Sequence, residues 1–232
     1  MYNLLISIAV GLVITVAIGG FFGSWWYGII PGILGLGIAY VILARRTMKQ
    51  VQAIVGRAQK DLQGENIDRG IEILKEAYDL GKWQFFVEAQ VDAQIGTVLY
   101  MSQRFDEAKS FLKRSFKKNW TARAMLGTLY YKKSQYDEME EVFEEAVTAN
   151  KKESLLWNLY AYCMWKSGQR DEAISILNRA IDKMGDEKRT KKNLDRLKNN
   201  RSMKMRGWNM QWYQFHLDSP PAQRQQPQFR RF

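Results

Sequence analysis

The chain has 232 residues, 46% of them hydrophobic, and a net charge of +11 from 35 Lys/Arg and 24 Asp/Glu. Residues 1–44 hold no Asp, Glu, Lys or Arg, a segregation of charge that a soluble globular chain does not usually show. A single Cys (Cys163) and a single His (His216) exclude an intramolecular disulfide framework, an ordinary Cys/His zinc site and a Ser-His-Asp arrangement in the core.

The apolar head comes first. Leu4 to Phe22 and Trp25 to Ala44 are almost wholly apolar or Gly, each close to the ~20 residues a helix needs to cross a bilayer. Between them, Gly19-Gly20-Phe21-Phe22-Gly23-Ser24-Trp25-Trp26-Tyr27 joins turn-forming glycines to five aromatics suited to a membrane–water interface. The pattern predicts a transmembrane hairpin over 1–46. Arg45, Arg46 and Lys49 follow the second run, so the positive-inside rule places that end, both termini and the domain behind it in the cytoplasm. A secretory signal peptide is the competing reading. It needs a basic start and a small-residue cleavage site, and Met1-Tyr2-Asn3 and Gly-Gly-Phe-Phe-Gly supply neither. Gly28 and Gly32, then Gly35 and Ala39, are small-xxx-small pairs that let helices approach closely. They serve either the hairpin itself or a contact with another membrane protein or a second copy.

The rest of the chain is periodic. Asp-Glu pairs begin at Asp106, Asp137 and Asp171, inside the similar segments Ser102–Ala108, Ser134–Met139 and Ser167–Ala173. Twelve residues before Ala108, Met139 and Ala173 stand Gly96, Gly127 and Ala161; four after them stand Leu112, Phe143 and Leu177. Ser115, Ala146 and Ala180 come three later. A small residue on one helix admits the next helix, and a large one fills the space between units. Such a pair cannot bury its apolar face alone, so pairs stack into a solenoid.

This pattern resembles the tetratricopeptide repeat family. Trp157, Ile95-Gly96, Leu126-Gly127, Ala108, Ala173, Phe143, Ala146 and Ala180 match its positions, and a degenerate earlier unit fits Ala58, Gly70, Leu74 and Ala77. The helix-ending Pro is missing from every unit, and Met139 and Ser115 stand where the family has Ala. The expected fold is all-α: a two-helix transmembrane hairpin, an α-solenoid of about four helix pairs over 47–185, a basic capping helix over 186–206 and an aromatic, basic tail over 207–232, partly disordered. Helix pairs are expected at 51–63/67–80, 86–101/105–118, 121–133/137–149 and 154–167/171–184. The second membrane helix, free of Pro after Pro31 and of Gly between Gly37 and Gly56, is expected to run into the first repeat helix without a hinge.

The resemblance implies a concave groove lined by first helices, and with it a protein or peptide client. Its positions fall at Gln90, Gln94, Thr97 and Tyr100, at Thr128, Tyr131 and Lys132, and at Asn158, Tyr162, Trp165 and Lys166. Aromatics there give contact area, and amides and hydroxyls pair with main chain. Family members that clamp a C-terminal carboxylate use Lys and Asn where this chain has Ala93, Thr97, Ala124 and Thr128, so no such clamp is expected. Glu138, Glu140, Glu141, Glu144 and Glu145 crowd one helix but have no His beside them, and read as a solvated face rather than a catalytic or metal set. Cys163 reads as a small core residue. No cofactor or metal is implied, and no enzyme activity.

Residues 186–232 carry 12 Lys/Arg against 4 Asp/Glu. Leu194, Leu197 and Met203 share one face of the expected capping helix. Trp208, Trp212, Tyr213 and Phe215 in the tail suit docking on a partner or on the chain's own solenoid, anionic lipid headgroups or, third, single-stranded nucleic acid. The sequence therefore points to a membrane-anchored adaptor or scaffold that binds a client. The alternative is a structural subunit of a larger membrane complex for secretion, motility or envelope assembly. The short hairpin, lone Cys and compact chain favour a bacterial inner membrane.

Overall fold

The computed structural model describes residues 1–64 and 66–219. Among these residues there are helices and no strands: α1 (Tyr2–Phe21), α2 (Trp25–Gln63), α3 (Ile67–Lys75), α4 (Val87–Met101), α5 (Phe105–Arg114), α6 (Trp120–Lys132), α7 (Tyr136–Ala149), α8 (Ser154–Lys166), α9 (Arg170–Met184), α10 (Lys188–Lys198) and the short α11 (Met210–Tyr213). The all-α architecture of repeated helix pairs is as expected. The chain forms two compact units, Met1–Ala122 and a second that begins at Arg123.

The first unit begins with a hairpin of two helices long and apolar enough to cross a membrane. Gly23, at a φ of 68°, makes the turn between them, in the left-handed region that costs glycine nothing. The flanking Phe21 and Trp26 are 84% and 80% exposed. Along the seam the backbones nearly touch. A Cβ on Gly32 would strike the Thr15 hydroxyl and lie 2.8 Å from the Gly11 carbonyl, and one on Gly28 would strike the Thr15 carbonyl. Gly35 faces Ile14 at similarly close range, and Ala39 is half-buried. Thr15 stays satisfied by donating to the Gly11 carbonyl at 2.9 Å. The faces turned away from the seam present Leu12, Val13, Ile30 and Ile33, which suits lipid.

Helix α2 continues for 39 residues, from the apolar run into charged sequence. Pro31 sits in its second turn, where it removes the bond an N–H would give the Tyr27 carbonyl, so the ladder is interrupted near the helix start. The hinge-free continuation expected from the sequence is present, so the boundary at 46/47 falls inside a helix. Past Arg46, Thr47, Val51 and Ala58 turn inward. Ala58 faces Gly70 of α3, which packs its open Cα against Leu62 and the Ala58 carbonyl.

Three expected helices end early. Helix α3 tightens into a 3-10 turn over Glu76–Lys82, which carries Tyr78 to Asp92 of α4. Helix α5 stops at Arg114 rather than 118, where Ser115 turns to extended backbone and its hydroxyl caps the Leu112 carbonyl at 2.6 Å. Helix α10 stops at Lys198 rather than 206, as Asn200 adopts a φ of 55°. Asn is among the residues that tolerate this conformation best.

The second unit uses the same seam device. A Cβ on Gly127 of α6 would sit 2.6 Å from the Phe143 ring of α7. Phe143 in turn stacks on Tyr160 of α8 at 5.1 Å. In the hairpin, Gly32→Leu is expected to push the helices apart at a cost of about 1–3 kcal/mol, while Gly37→Leu is neutral because nothing lies within 4 Å of its Cβ position. The thermal midpoints of the two full-length variants in detergent check this.

Candidate partner-binding surfaces

In the first unit the expected groove positions lie on α4. Gln90 and Gln94 are exposed, and Thr97 is half-buried with its hydroxyl on the Ala93 carbonyl at 2.7 Å. Tyr100 is not a surface residue. It is fully buried, edge-on to Phe105 at 5.2 Å. Helix α4 packs on more than one side, so a first-helix position one turn from the groove points into the core. Beneath it, buried Asp92 accepts from Arg114 at 2.9 and 3.1 Å and from Tyr78 at 2.6 Å. Burial first, then Asp92, pushes the Tyr78 phenol up to about 12.

In the second unit Tyr131 is half-buried and Lys132 exposed at the end of α6. Thr128 is fully buried and spends its hydroxyl on the Ala124 carbonyl at 2.8 Å, so it cannot line a groove. Asn158 is also fully buried. It donates to the Ser154 carbonyl and to Thr190, each at 2.8 Å, and accepts from Asn193 at 2.9 Å. Tyr162 is 93% covered, its ring 4.9 Å from that of Trp212. Of the expected α8 positions, Trp165 and Lys166 stay accessible, with the Lys166 ammonium 4.8 Å over the Trp165 ring.

These three corrections in the second unit have separate causes: α10 covers Asn158 through Thr190 and Asn193, the segment after α10 covers Tyr162, and the small Thr128 side chain sits inside the packed face of α6. The chain after α10 folds back over α8. Asn193 treats the returning segment as a strand partner: it accepts from the Lys204 N–H at 2.9 Å and donates to the Lys204 carbonyl at 3.4 Å. Met203 and Met205 on either side turn inward. Trp208 follows, its indole N–H 3.4 Å from Ser154 and its ring under Arg189. Trp212 and Phe215 are completely buried, Tyr213 is half-buried, and the Trp212 indole donates to Asp218 at 2.9 Å. So the aromatic part of the tail is ordered and docked on its own unit. Of the part expected to be disordered, after Leu217, residues 220–232 lie outside the described residues. The signal for this strap was present in the spacing Thr190, Asn193, Leu194, Leu197: uncharged residues at i, i+3, i+4 and i+7 on an otherwise charged helix.

Between the strap and α10 lies an open cleft of about 1090 Å³, with Trp165 and Lys166 at its rim. Lys166, Arg189, Lys191, Lys192, Arg196, Arg201, Lys204 and Arg206 line it, against Asp195 and Asp218. Arg196 spends its Nε on the Ser202 carbonyl and Lys191 pairs with Asp186, so part of this charge also holds the walls. The cleft is a concave, cationic surface with an aromatic margin.

In the glutamate run of α7, Glu138, Glu140 and Glu141 are exposed, whereas the next two make ion pairs. Glu144 accepts from Arg179 at 2.7 and 2.6 Å, and Glu145 from Arg123 at 2.5 Å. No cluster of metal-ligating side chains occurs among the described residues. Burial drives the Cys163 thiol far up, which keeps it protonated and unreactive.

Compared with known families, residues 121–153 match the tetratricopeptide repeat, a span that covers α6 and α7. Comparison with curated proteins gives no match.

Two outcomes follow from this geometry. Trp212→Ala is expected to cost about 3–5 kcal/mol and to free the strap, so trypsin should cut the full chain faster at Arg201, Lys204 and Arg206. Arg179 holds the Glu144 carboxyl below its ordinary value of 4.5. Stability from this pair is present above that pH and lost as pH falls through the lowered value. Both partners keep a third or more of their surface, so the loss is small, about 0.2–1 kcal/mol. Glu144→Gln should flatten the acid limb of the denaturation midpoint against pH between pH 5 and pH 3 by about that amount.

Proposed function

We propose that the chain is a membrane-anchored adaptor of the tetratricopeptide repeat kind that recruits a protein client through an acidic segment of that client, a reading supported by the repeat match over residues 121–153 and by the repeated helix pairs. Repeats of this family bind protein partners and act as scaffolds rather than by making bonds. The observation that carries the reading is the cationic cleft beside Trp165 and Lys166. Its eight cations against two carboxylates favour a polyanionic strand, and rim aromatics supply contact area. With the expected α8 positions Asn158 and Tyr162 covered, the accessible surface that supports this reading is the cleft together with Tyr131, Lys132, Trp165 and Lys166.

Anchoring is supported by the hairpin seam and by the continuity of α2. Removal of the head as a cleaved signal would strip the partners of Gly28 and Gly32 and the buried side chain of Asn3. Arg45, Arg46 and Lys49 directly follow the second apolar run, which favours a cytoplasmic repeat domain. Mechanism is then local concentration: the client is held at the bilayer without chemistry being done on it.

Photocrosslinking from Trp165 and Lys132 in native membranes tests this, with Ile33 as a probe in the hairpin. The expected result is one defined protein captured at Trp165, lost when Lys166 and Lys192 are both changed to Glu. Capture of foreign membrane helices at Ile33 with nothing at Trp165 or Lys132 would instead make the chain a structural subunit of a membrane complex.

A further inference from the structure

The 3-10 turn after α3 leads into a short loop, Trp83-Gln84-Phe85-Phe86, before α4 begins. This loop is tied to the start of the hairpin. The Asn3 N–H donates to the Trp83 carbonyl at 3.2 Å. The buried Asn3 amide donates to Thr47 at 2.9 Å and to Gln84 at 3.2 Å, and Gln84 donates to Tyr40 at 2.8 Å. Tyr2 meets Trp83 edge-on at 5.3 Å. Residue 3 opens one apolar helix and residue 47 follows Arg45-Arg46 at the close of the other. The network therefore pins the loop to the level where apolar sequence gives way to charge.

Its aromatic side chains are then oddly spent. Phe86 is 65% exposed and Trp83 is 42% exposed. Phe86 also holds a φ of 65°, a conformation that bulky residues rarely adopt. Backbone strain of this kind persists where surroundings enforce it, and here it presents an apolar ring outward. Phe86 packs one side on Phe116 at 4.8 Å, so the ring is braced rather than swinging free. Exposed Lys82, Arg45, Arg46 and Lys49 lie in the same stretches of chain, ready for phosphate. In water such a patch is a liability. At a headgroup boundary, aromatic rings with polar neighbours and adjacent cations are favourable.

We propose that the Trp83–Phe86 loop is a third membrane contact, a foot of the repeat domain seated in the lipid interface beside the hairpin. It rests on the membrane-anchored reading given above. The bilayer is the occupant because the loop is bonded to residues at the bilayer's own edge. With two crossings and one foot, the first repeats cannot rotate about the hairpin axis, and their surface is held at a set height and direction.

Environment-sensitive nitrobenzoxadiazole labels on single cysteines test the proposal, in the full chain in nanodiscs of anionic and zwitterionic lipid. Cys163 is fully buried and is changed to Ala. Labels go on Leu12→Cys, Phe86→Cys, Trp83→Cys and Lys60→Cys. Lipids carrying a spin label near the top of the acyl chain should quench positions 83 and 86, with blue-shifted emission. Position 60, on the part of α2 that projects from the hairpin, should remain unquenched. Quenching at 12 with positions 83 and 86 behaving like 60 overturns the foot and leaves the anchor standing. No quenching at 12 by acyl-chain labels at any depth overturns the anchor and the foot together.

Discussion

Helix α2 passes from apolar to charged sequence without a break, and its continuity constrains the elements on both sides. An α-helix resists bending unless a Pro, a bulge or an inserted group interrupts its ladder. The single Pro of α2 lies near its start, far from the passage into the first repeat. Whatever fixes the apolar half therefore fixes the first helix of the repeat array. Thr47 sits at this passage and serves both sides, accepting from Asn3 while donating to the Leu43 carbonyl at 3.1 Å. A buried polar node of this kind is costly when half satisfied and specific when complete. Here it fixes the register of α1 against α2 and ties Gln84 to the same point.

One packing device recurs on both sides of that passage. In the hairpin Gly28 and Gly32 bring backbones together over Thr15. In the repeats Gly96 admits Leu112 and Gly127 admits Phe143, each to within 3 Å of where a Cβ would stand. The driving forces differ. Apolar burial from water holds the repeats, whereas under the proposed anchoring close van der Waals contact between small residues would hold the hairpin in lipid. The sequence requirement is the same, a missing side chain opposite a large or polar neighbour.

Much of this was legible in the chain itself. The charge-free head, the Asp-Glu periodicity and the Gly96, Gly127 and Ala161 spacing locate α1, α2 and α4 to α9 to within a few residues. Periodicity reports which residues face a neighbour but not how many neighbours a helix has. That is why Tyr100, Thr128, Asn158 and Tyr162 fit the groove pattern and yet lie in the interior. Asn158 is bonded to Thr190 and Asn193 of α10, and Tyr162 is covered by Trp212 of the later segment, whose aromatic, basic composition suited docking on its own solenoid, a partner or lipid alike. Asn193 pairs with Lys204 of this segment, and the uncharged face of α10 signals that something covers it without saying which segment does. The foot at Trp83–Phe86 was invisible for the same reason, since contacts from Tyr2, Asn3 and Tyr40, distant in the chain, bring it to the hairpin.

The hairpin and the first repeats are joined through one stiff element, α2, so stiffness across the passage decides whether those repeats are held or merely tethered. Spin labels at Ile38→Cys and Lys60→Cys, in the full chain in nanodiscs with Cys163→Ala, measure it directly by pulsed dipolar spectroscopy. At 1.5 Å per residue an unbroken helix places the two backbones about 33 Å apart. A single narrow distance distribution near that value is the predicted result. A broad distribution, or a second shorter population, would mean that α2 bends at the passage and that the repeats are tethered to the membrane rather than held by it.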